Sequence, residues 1–433
     1  MPRAAIRRLP ILLPLAALVL GIGLLPGPVS AQGHHGHHGL ARDLGHADPA
    51  AVGVSAERLE RLDAGMQRMV DEGKLAGVVT MLARNGKVAF VDSVGVQDVE
   101  SGTPMAPDSI FLIYSMTKPI TAAALMILYE EGKWQIDEPV SNFIPEFADL
   151  RVHAGEYADG SPVHEAATRS MTMRELLTHS GGLDYGFDDH PVARAYREKG
   201  VLDADAPLQD MIDKLGALPL RSQPGTEWFY SISVDVQGYL VEKLSGQPFD
   251  EFLLERIFEP LGMVDTAFFV PAGDVDRAAR IHQDGDEGLE LADNEVRTLP
   301  PAGPSGGGGL YSTAGDYMRF MQMLLNGGEL GGAPVLSPRS VEIMRTNHLL
   351  PGPLGTRPAG RGFSFGFEVV TDAAAAGEAY ADGTYRWGGA AGTWFWIDPE
   401  TDLAFVGMIQ HRGRAVGEVQ SISRNFVYGA LTR

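Results

Sequence analysis

Apolar residues recur at helical spacing through Leu59, Leu62, Met66, Met69 and Val70, and Ser55 stands ahead of them as an N-cap, so the pattern predicts an amphipathic helix over 56–72. The period then shortens to that of strands. Val78–Ala83 and Val88–Val94 are β-rich runs joined by Arg84-Asn85-Gly86-Lys87, and Asn-Gly is the strongest two-residue hairpin signal. Residues 115–132 read as a helix that is apolar over most of its surface. Gly and Pro clusters cut 133–300 into short helices and loops, with longer apolar-periodic segments at 208–217, 234–245 and 250–258. Strand signal returns at 363–370, 384–389, 392–398 and 402–410, and no internal repeat is present. Strands at both ends of a mostly helical middle predict an α+β fold, with an antiparallel sheet flanked by helices. Residues 51–110 plus 300–433 form the expected α/β domain, and 111–299 an inserted, mostly helical domain.

The first 31 residues divide into a basic start (Arg3, Arg7, Arg8), an apolar run from Ile11 to Leu25, and Val29-Ser30-Ala31, a small-x-small cleavage pattern. That order is that of a secretory signal peptide, which predicts a periplasmic or secreted protein after cleavage near Ala31. Pro10 and Pro14 interrupt a run of only about 15 apolar residues, short of the roughly 20 a spanning helix needs, so no stable membrane anchor is expected. The Arg7-Arg8 pair does not separate the two bacterial export routes. Residues 32–50 contain His34, His35, His37, His38 and His46 among glycines, and read as a flexible, solvated leader rather than a metal site.

Composition narrows the chemistry. Of 433 residues, 35 are Lys or Arg and 56 Asp or Glu, a formal net charge of −21. Such acidity opposes nucleic-acid binding, which draws its affinity from clustered cations. The chain has no cysteine, so a disulfide, a thiolate metal site and a thiol nucleophile are all excluded. No HExxH or comparable ligand spacing is present, so neither a metal nor another cofactor is implied.

Ser115-Met116-Thr117-Lys118 is where the chemistry concentrates. Pro119 lacks an N–H and is tolerated only in a helix's first turn, so Ser115 must lie at a helix N-terminus. Three residues of helix place Lys118 about 60° around from Ser115 and one turn along, so hydroxyl and amine face each other. A serine hydroxyl is a poor nucleophile until a base takes its proton, and a desolvated lysine or a neighbouring phenolate is such a base. Alone, S-x-x-K is a weak pattern. An apolar helix around the lysine strengthens it, because a lysine drawn into a core needs a partner or a task.

With these residues the chain resembles the serine β-lactamase and penicillin-binding-protein superfamily, and most closely its class C-like branch of family VIII carboxylesterases. The resemblance runs from about Ser55 to the C-terminus through Ser115–Lys118, Leu176–Leu183, Pro224–Ser231, Phe258–Met263 and Gly306–Asp316. It implies a β-lactamase/transpeptidase-like fold and a small-molecule ester substrate, and leaves the oligomeric state open. Ser115 matches the acylated nucleophile. Lys118 matches the lysine that keeps the site in its reactive protonation state, and Tyr230 the tyrosine acting as base toward Ser115 and acid toward the leaving group. By the same alignment the backbone N–H groups of Ser115 and Ala390 form the oxyanion hole.

Two departures bear on the substrate. Where β-lactamases of this branch carry Tyr-x-Asn the chain has Tyr230-Ser231-Ile232, and isoleucine has no group to bond a lactam side-chain amide. Where K-T-G would stand it has Trp387-Gly388-Gly389, the esterase form, which removes the cation that recognises the carboxylate of penicillins and of D-Ala-terminated peptides. Trp387, Gly388 and Gly389 are therefore expected to line the substrate pocket, and the pocket to favour uncharged acyl groups. A serine esterase acting on short-chain carboxylic esters is the leading expectation. A β-lactamase, a D-amino-acid peptidase or an acyltransferase of the same fold is the alternative, and a catalytically silent binding protein a third reading.

Three other features need placing. Gly303-Pro304-Ser305-Gly306-Gly307 satisfies the nucleophile-elbow pattern, but three prolines in Thr298–Pro304 leave no strand ahead of it, so Ser305 is not expected to be the nucleophile. The glycines at 306–309 read as a tight loop near the active site. His179, beside Ser180, invites a triad reading, but its block is expected to shape the pocket wall, and His411 is a candidate supporting group from the C-terminal sheet.

Overall fold

In the computed structural model, residues 44–157, 160–292, 295–349 and 357–432 are described. The proposed signal peptide and the four histidines at 34–38 lie outside them. The last residues assigned to the leader do not behave as a flexible tail: Ala47 N–H donates to the Val88 carbonyl and Val88 N–H to that of Gly45. No helix among the described residues is long and apolar enough to cross a membrane.

The N-terminal hairpin forms as the Asn-Gly signal requires. Strands β1 (Gly77–Arg84) and β2 (Lys87–Gly95) are joined by Asn85 and Gly86, both at positive φ (53° and 71°), the backbone of a type I′ turn. Five further strands follow late in the chain: β3 (Arg361–Phe363), β4 (Glu368–Val370), β5 (Tyr385–Gly388), β6 (Trp394–Asp398) and β7 (Leu403–Met408). They make one seven-stranded sheet, ordered β3-β4-β5-β6-β7-β1-β2, antiparallel at every step.

Alternation along the strands feeds two cores at once. Leu403 and Phe405, Trp394 and Trp396, and Val78 and Leu82 point to one face. There they meet α1 (Ala56–Asp71) through Leu59, Leu62, Met66 and Met69, and α5 (Ala415–Ala430) through Val419 and Val427. Ala404 and Val406, Phe395 and Ile397, and Val79 and Met81 point to the other. That face receives α2 (Thr117–Glu130), α3 (Ser233–Ser245) and α4 (Ala314–Leu325). With both faces covered, the central strands read as continuous apolar runs.

Several boundaries differ from those expected. The run 363–370 is two short strands, because the Ser364 N–H bonds the Phe367 carbonyl and closes a turn between them. The segment 250–258 is an α-helix only over Phe249–Leu253 and continues as a π-turn over Leu254–Phe258. The middle of the chain also holds two hairpins that its composition hid, Arg151–Glu156 with Pro162–Ala166 and His282–Gly285 with Gly288–Leu291. Helix α5 was not anticipated: glycine, serine, asparagine and β-branched residues give it low intrinsic propensity. Packing supplies what propensity does not, with the Phe426 ring lying where a side chain on Gly65 of α1 would stand.

Asp316, in the first turn of α4, tests the balance of forces in this core. Its Oδ2 accepts from the Asp265 N–H (2.7 Å) and Thr266 Oγ1 (2.9 Å), yet burial outweighs both and raises its pKa to about 7. The folded value lies above the unfolded one of about 4, so the associated stability is complete below about pH 4 and is lost as pH rises through about 7. Asp316→Asn, which mimics the protonated acid, should therefore gain stability relative to the parent as pH goes from 5 to 8. Paired urea titrations at the two pH values read this directly; an unchanged difference would mean the group is ionised throughout.

Candidate active site

The chain enters the site along Phe111–Leu112, which pairs with Tyr311–Ser312. It then turns through a single 3-10 turn, Tyr114–Met116, into α2. Tyr114, immediately ahead of Ser115, takes φ 42°, a left-handed conformation rare for an aromatic residue. Helix α2 is buried from Thr117 to Leu128, including Lys118 at 0% exposure. The sequence-predicted facing of Ser115 and Lys118 is realised, with Nζ 3.2 Å from Ser115 Oγ. Tyr230 OH donates to the same oxygen at 2.7 Å, and the Lys118 ammonium lies 4.7 Å from the centre of the Tyr230 ring.

Lys118 has further partners that the sequence did not disclose. Its Nζ donates to the Gly307 carbonyl at 2.6 Å and to Tyr185 OH at 3.4 Å. Thr121 Oγ1, one turn along α2, holds the adjacent Gly306 carbonyl at 2.8 Å, so the glycine loop is clasped to the helix at two points. From the far side Asp235 of α3 accepts from Gly307 N–H (3.0 Å) and Ser305 Oγ (2.5 Å). Burial raises the Asp235 pKa, against the pull of Lys118 and these hydrogen bonds. Tyr185 is pushed well above the ordinary phenol value by burial, then by Asp235 and Tyr230, so it stays a neutral phenol. A lone acid in the apolar helical run Val234-Asp235-Val236 was the signal that could have found Asp235. Tyr185 carries none.

The decoys resolve by their partners. The Ser305 hydroxyl is committed to Asp235, and no strand leads into it. Ser180 pairs with Thr178 Oγ1 at 2.9 Å and not with His179. His179 itself, at φ 58°, accepts the Ser231 N–H on Nδ1 (3.2 Å), while its carbonyl accepts the Phe229 N–H (2.9 Å). Those bonds brace the segment that carries Tyr230, whose ring lies 4.9 Å away. Burial, then Lys118 and Arg357, hold its imidazole well below the ordinary pKa and hence neutral. His411 turns its side chain to Asp284, with Nε2 3.3 Å from Oδ1, and its N–H supports the Ala391 carbonyl. Ile232 is buried in the core at 1% exposure.

The β5–β6 turn brings the remaining residues in. Gly389 N–H bonds the Thr393 carbonyl at 2.7 Å and Gly392 N–H the Gly389 carbonyl at 2.9 Å, leaving Ala390 at the tip. Gly389 is required here: a Cβ would collide with the Ile113 carbonyl oxygen and with Thr393 Oγ1. Its absence lets the turn lean on the segment that leads into Ser115, and Gln410 Nε2 ties the neighbouring Leu112 carbonyl at 2.9 Å. The Ala390 N–H has no acceptor among the described residues. Trp387 joins an aromatic wall, 5.5 Å from Tyr230 and 5.3 Å from Phe363 between ring centres.

Ser115, Lys118 and Tyr230 thus share one hydrogen-bonded cluster, with the Gly388-Gly389-Ala390 turn held against its backbone. A family model described as Beta-lactamase matches residues 62–424. Protein Rv1367c of Mycobacterium tuberculosis is 37% identical over 368 residues, covering 82% of this chain and 90% of that protein. Esterase EstB of Burkholderia gladioli is 32% identical over 381 residues, covering 82% and 92%. Among solved structures, EstCE1, described as a hydrolase with promiscuous acyltransferase activity, superimposes with a TM-score of 0.72 at 29% identity over 86% of this chain and 98% of its own. The fold is β-lactamase/transpeptidase-like, and the chain belongs to the Beta-lactamase family.

Proposed function

We propose that this protein is a serine carboxylesterase that cleaves short-chain carboxylic esters through an acyl-enzyme on Ser115. The observation that carries the reading is the double engagement of one hydroxyl: Ser115 Oγ lies 2.7 Å from Tyr230 OH and 3.2 Å from Lys118 Nζ. In the reactive protonation state the Tyr230 oxygen accepts the serine proton as Oγ attacks the ester carbonyl, and the Lys118 ammonium offsets the negative charge. The tetrahedral oxyanion takes the N–H groups of Ser115 and Ala390. Tyr230 then returns its proton to the departing alcohol, and a water, deprotonated along the same path, releases the acid. Tyr185, kept neutral, and Asp235, through the glycine loop, hold Lys118 in place without competing for the proton.

The Trp387-Gly388-Gly389 turn and the buried Ile232 disfavour β-lactams and D-amino-acid peptides, since neither supplies the cation or the amide those substrates pair with. Acyl transfer is the second reading: an alcohol in place of water completes the same cycle, and EstCE1 bears that description. The N-terminal pattern supports a periplasmic or secreted location, and the acidic composition supports a small-molecule partner rather than nucleic acid.

The test compares p-nitrophenyl butyrate with a chromogenic cephalosporin, with intact-mass detection of the adduct. Fast ester turnover and a butyryl group on Ser115 are expected; efficient cephalosporin hydrolysis would overturn the assignment. Ser115→Ala should lower kcat by at least about 10³-fold in a protein that still folds cooperatively, as a single melting transition shows. Lys118→Ala and Tyr230→Phe should each lose several orders of magnitude, and the double variant scarcely more, because the residues act as one unit. A Tyr230→Phe enzyme near the parent rate would remove Tyr230 from the proton path. Gly389→Val should displace Ala390 and cost about 10²-fold in kcat, read against KM for the butyrate ester.

A further inference from the structure

The aromatic wall carries more hydrogen-bond donors than it has acceptors for. Phe363 is its hub, with ring centres 5.3 Å from His179, 5.4 Å from Trp228 and 5.3 Å from Trp387, and with the Arg357 guanidinium at 5.6 Å. Each of the four neighbours buries a nitrogen with no hydrogen-bond partner among the described residues: Nε1 of Trp228, Nε1 of Trp387, Nε of Arg357 and Nε2 of His179. Because His179 Nδ1 accepts the Ser231 N–H, the proton of the neutral ring sits on Nε2, so all four are donors. N–H groups set against ring faces recover little of that loss. Four such donors grouped around one ring are open to an acceptor that the folded chain does not itself provide, a water or a ligand group.

The charge at this place is positive. Arg357 lies 4.4 Å over the Trp228 ring with its side chain 13% exposed. It pairs with Glu368, but that carboxylate is shared with Arg386 (2.6 Å) and Arg361 (3.6 Å), while Glu378 serves Arg361 (2.6 Å) and Arg424 (2.7 Å). Four guanidiniums face two carboxylates, an excess of two positive charges in an otherwise acidic protein. Trp228 stacks along Tyr230 at 6.4 Å and 25°, so the guanidinium is one ring beyond the tyrosine that touches Ser115.

We infer that Arg357, with the indole donors of Trp228 and Trp387 and His179 Nε2–H, forms a carboxylate-binding subsite, and that the preferred esters carry a carboxylate several bonds from the scissile carbonyl. This rests on the esterase reading and refines it. The lysine missing ahead of Gly388 removes one cation, and Arg357 supplies another from a different wall, so the expectation of an uncharged acyl group is replaced by that of an acidic ester.

The test uses two matched pairs: mono-p-nitrophenyl glutarate against its methyl ester, with the carboxylate on the acyl part, and p-butyryloxybenzoate against its methyl ester, with the carboxylate on the alcohol part. In at least one pair the acid should be favoured in kcat/KM. Arg357→Gln should reduce that acid-to-methyl-ester ratio about tenfold or more, with Arg357→Lys retaining part of it. A preference for the methyl ester in both pairs, or a ratio unmoved by Arg357→Gln, overturns the subsite. Binding is read separately, by calorimetry of monomethyl glutarate with the Ser115→Ala protein and with its Arg357→Gln and Arg357→Lys derivatives. Arg357-dependent binding to the Ser115→Ala protein, with a parent Ser115 enzyme that turns over none of the four esters, would retain the subsite and remove the hydrolase reading. Ester turnover without such binding would do the reverse.

Discussion

Lys118 is the constraint around which the rest is arranged. An ammonium in a fully buried stretch of helix forfeits its hydration, which costs several kcal/mol unless every N–H finds an acceptor. Its acceptors come from three separate parts of the chain: Ser115 on its own helix turn, Tyr185 from the loop after the His179 block, and the Gly307 carbonyl. None of these stays put unaided. Thr121 and Asp235 secure the glycine loop, and the bonds between His179 and residues 229–231 set Tyr230 over the ammonium. The buried charge of Lys118 therefore also fixes the geometry of Ser115 and Tyr230, the groups between which the proposed mechanism moves a proton.

What the chain discloses in advance divides along sequence distance. The Ser115–Lys118 facing follows from helix geometry within one turn, and the Asn85-Gly86 hairpin from backbone sterics at two residues. Continuous β-rich apolar runs were enough for the central strands, because two cores ask for apolar side chains on both faces. Tyr230 was accessible only through family resemblance, since the 115 residues that separate it from Ser115 carry no periodic link. Tyr185, Asp235 and Arg357 owe their roles to neighbours far away in sequence. The hairpins at 151–166 and 282–291 belong to small sheets with half or more of their positions partly or fully exposed, so their polar sequences resemble loops. Helix α5 is held by α1 and the sheet against its own composition.

The aromatic wall shows a division of labour between rings that pack and rings that present polar atoms. Phe363 contributes only surface, yet it spaces His179, Trp228, Trp387 and Arg357 around itself. The Arg357–Glu368 pair continues into a network that reaches α5 through Arg424 and Glu378. Two carboxylates thereby link four guanidiniums from three parts of the chain, Glu368 touching Arg357, Arg361 and Arg386 and Glu378 touching Arg361, Arg386 and Arg424.

The pairing of β1 with β7 has a consequence for how the molecule is made. Val79 lies opposite Met408, so a strand near the start of the chain waits for one synthesised more than three hundred residues later. Until then the β1–β2 hairpin has an open edge, and the turn carrying Ala390 has no sheet to hold it against Ser115. Closure on this scale is entropically late and slow, whichever local elements form first. Assembly of the Ser115 cluster is thereby deferred until the late strands are made: a chain that ends before β6 and β7 holds Ser115 without the turn that sets Ala390 beside it.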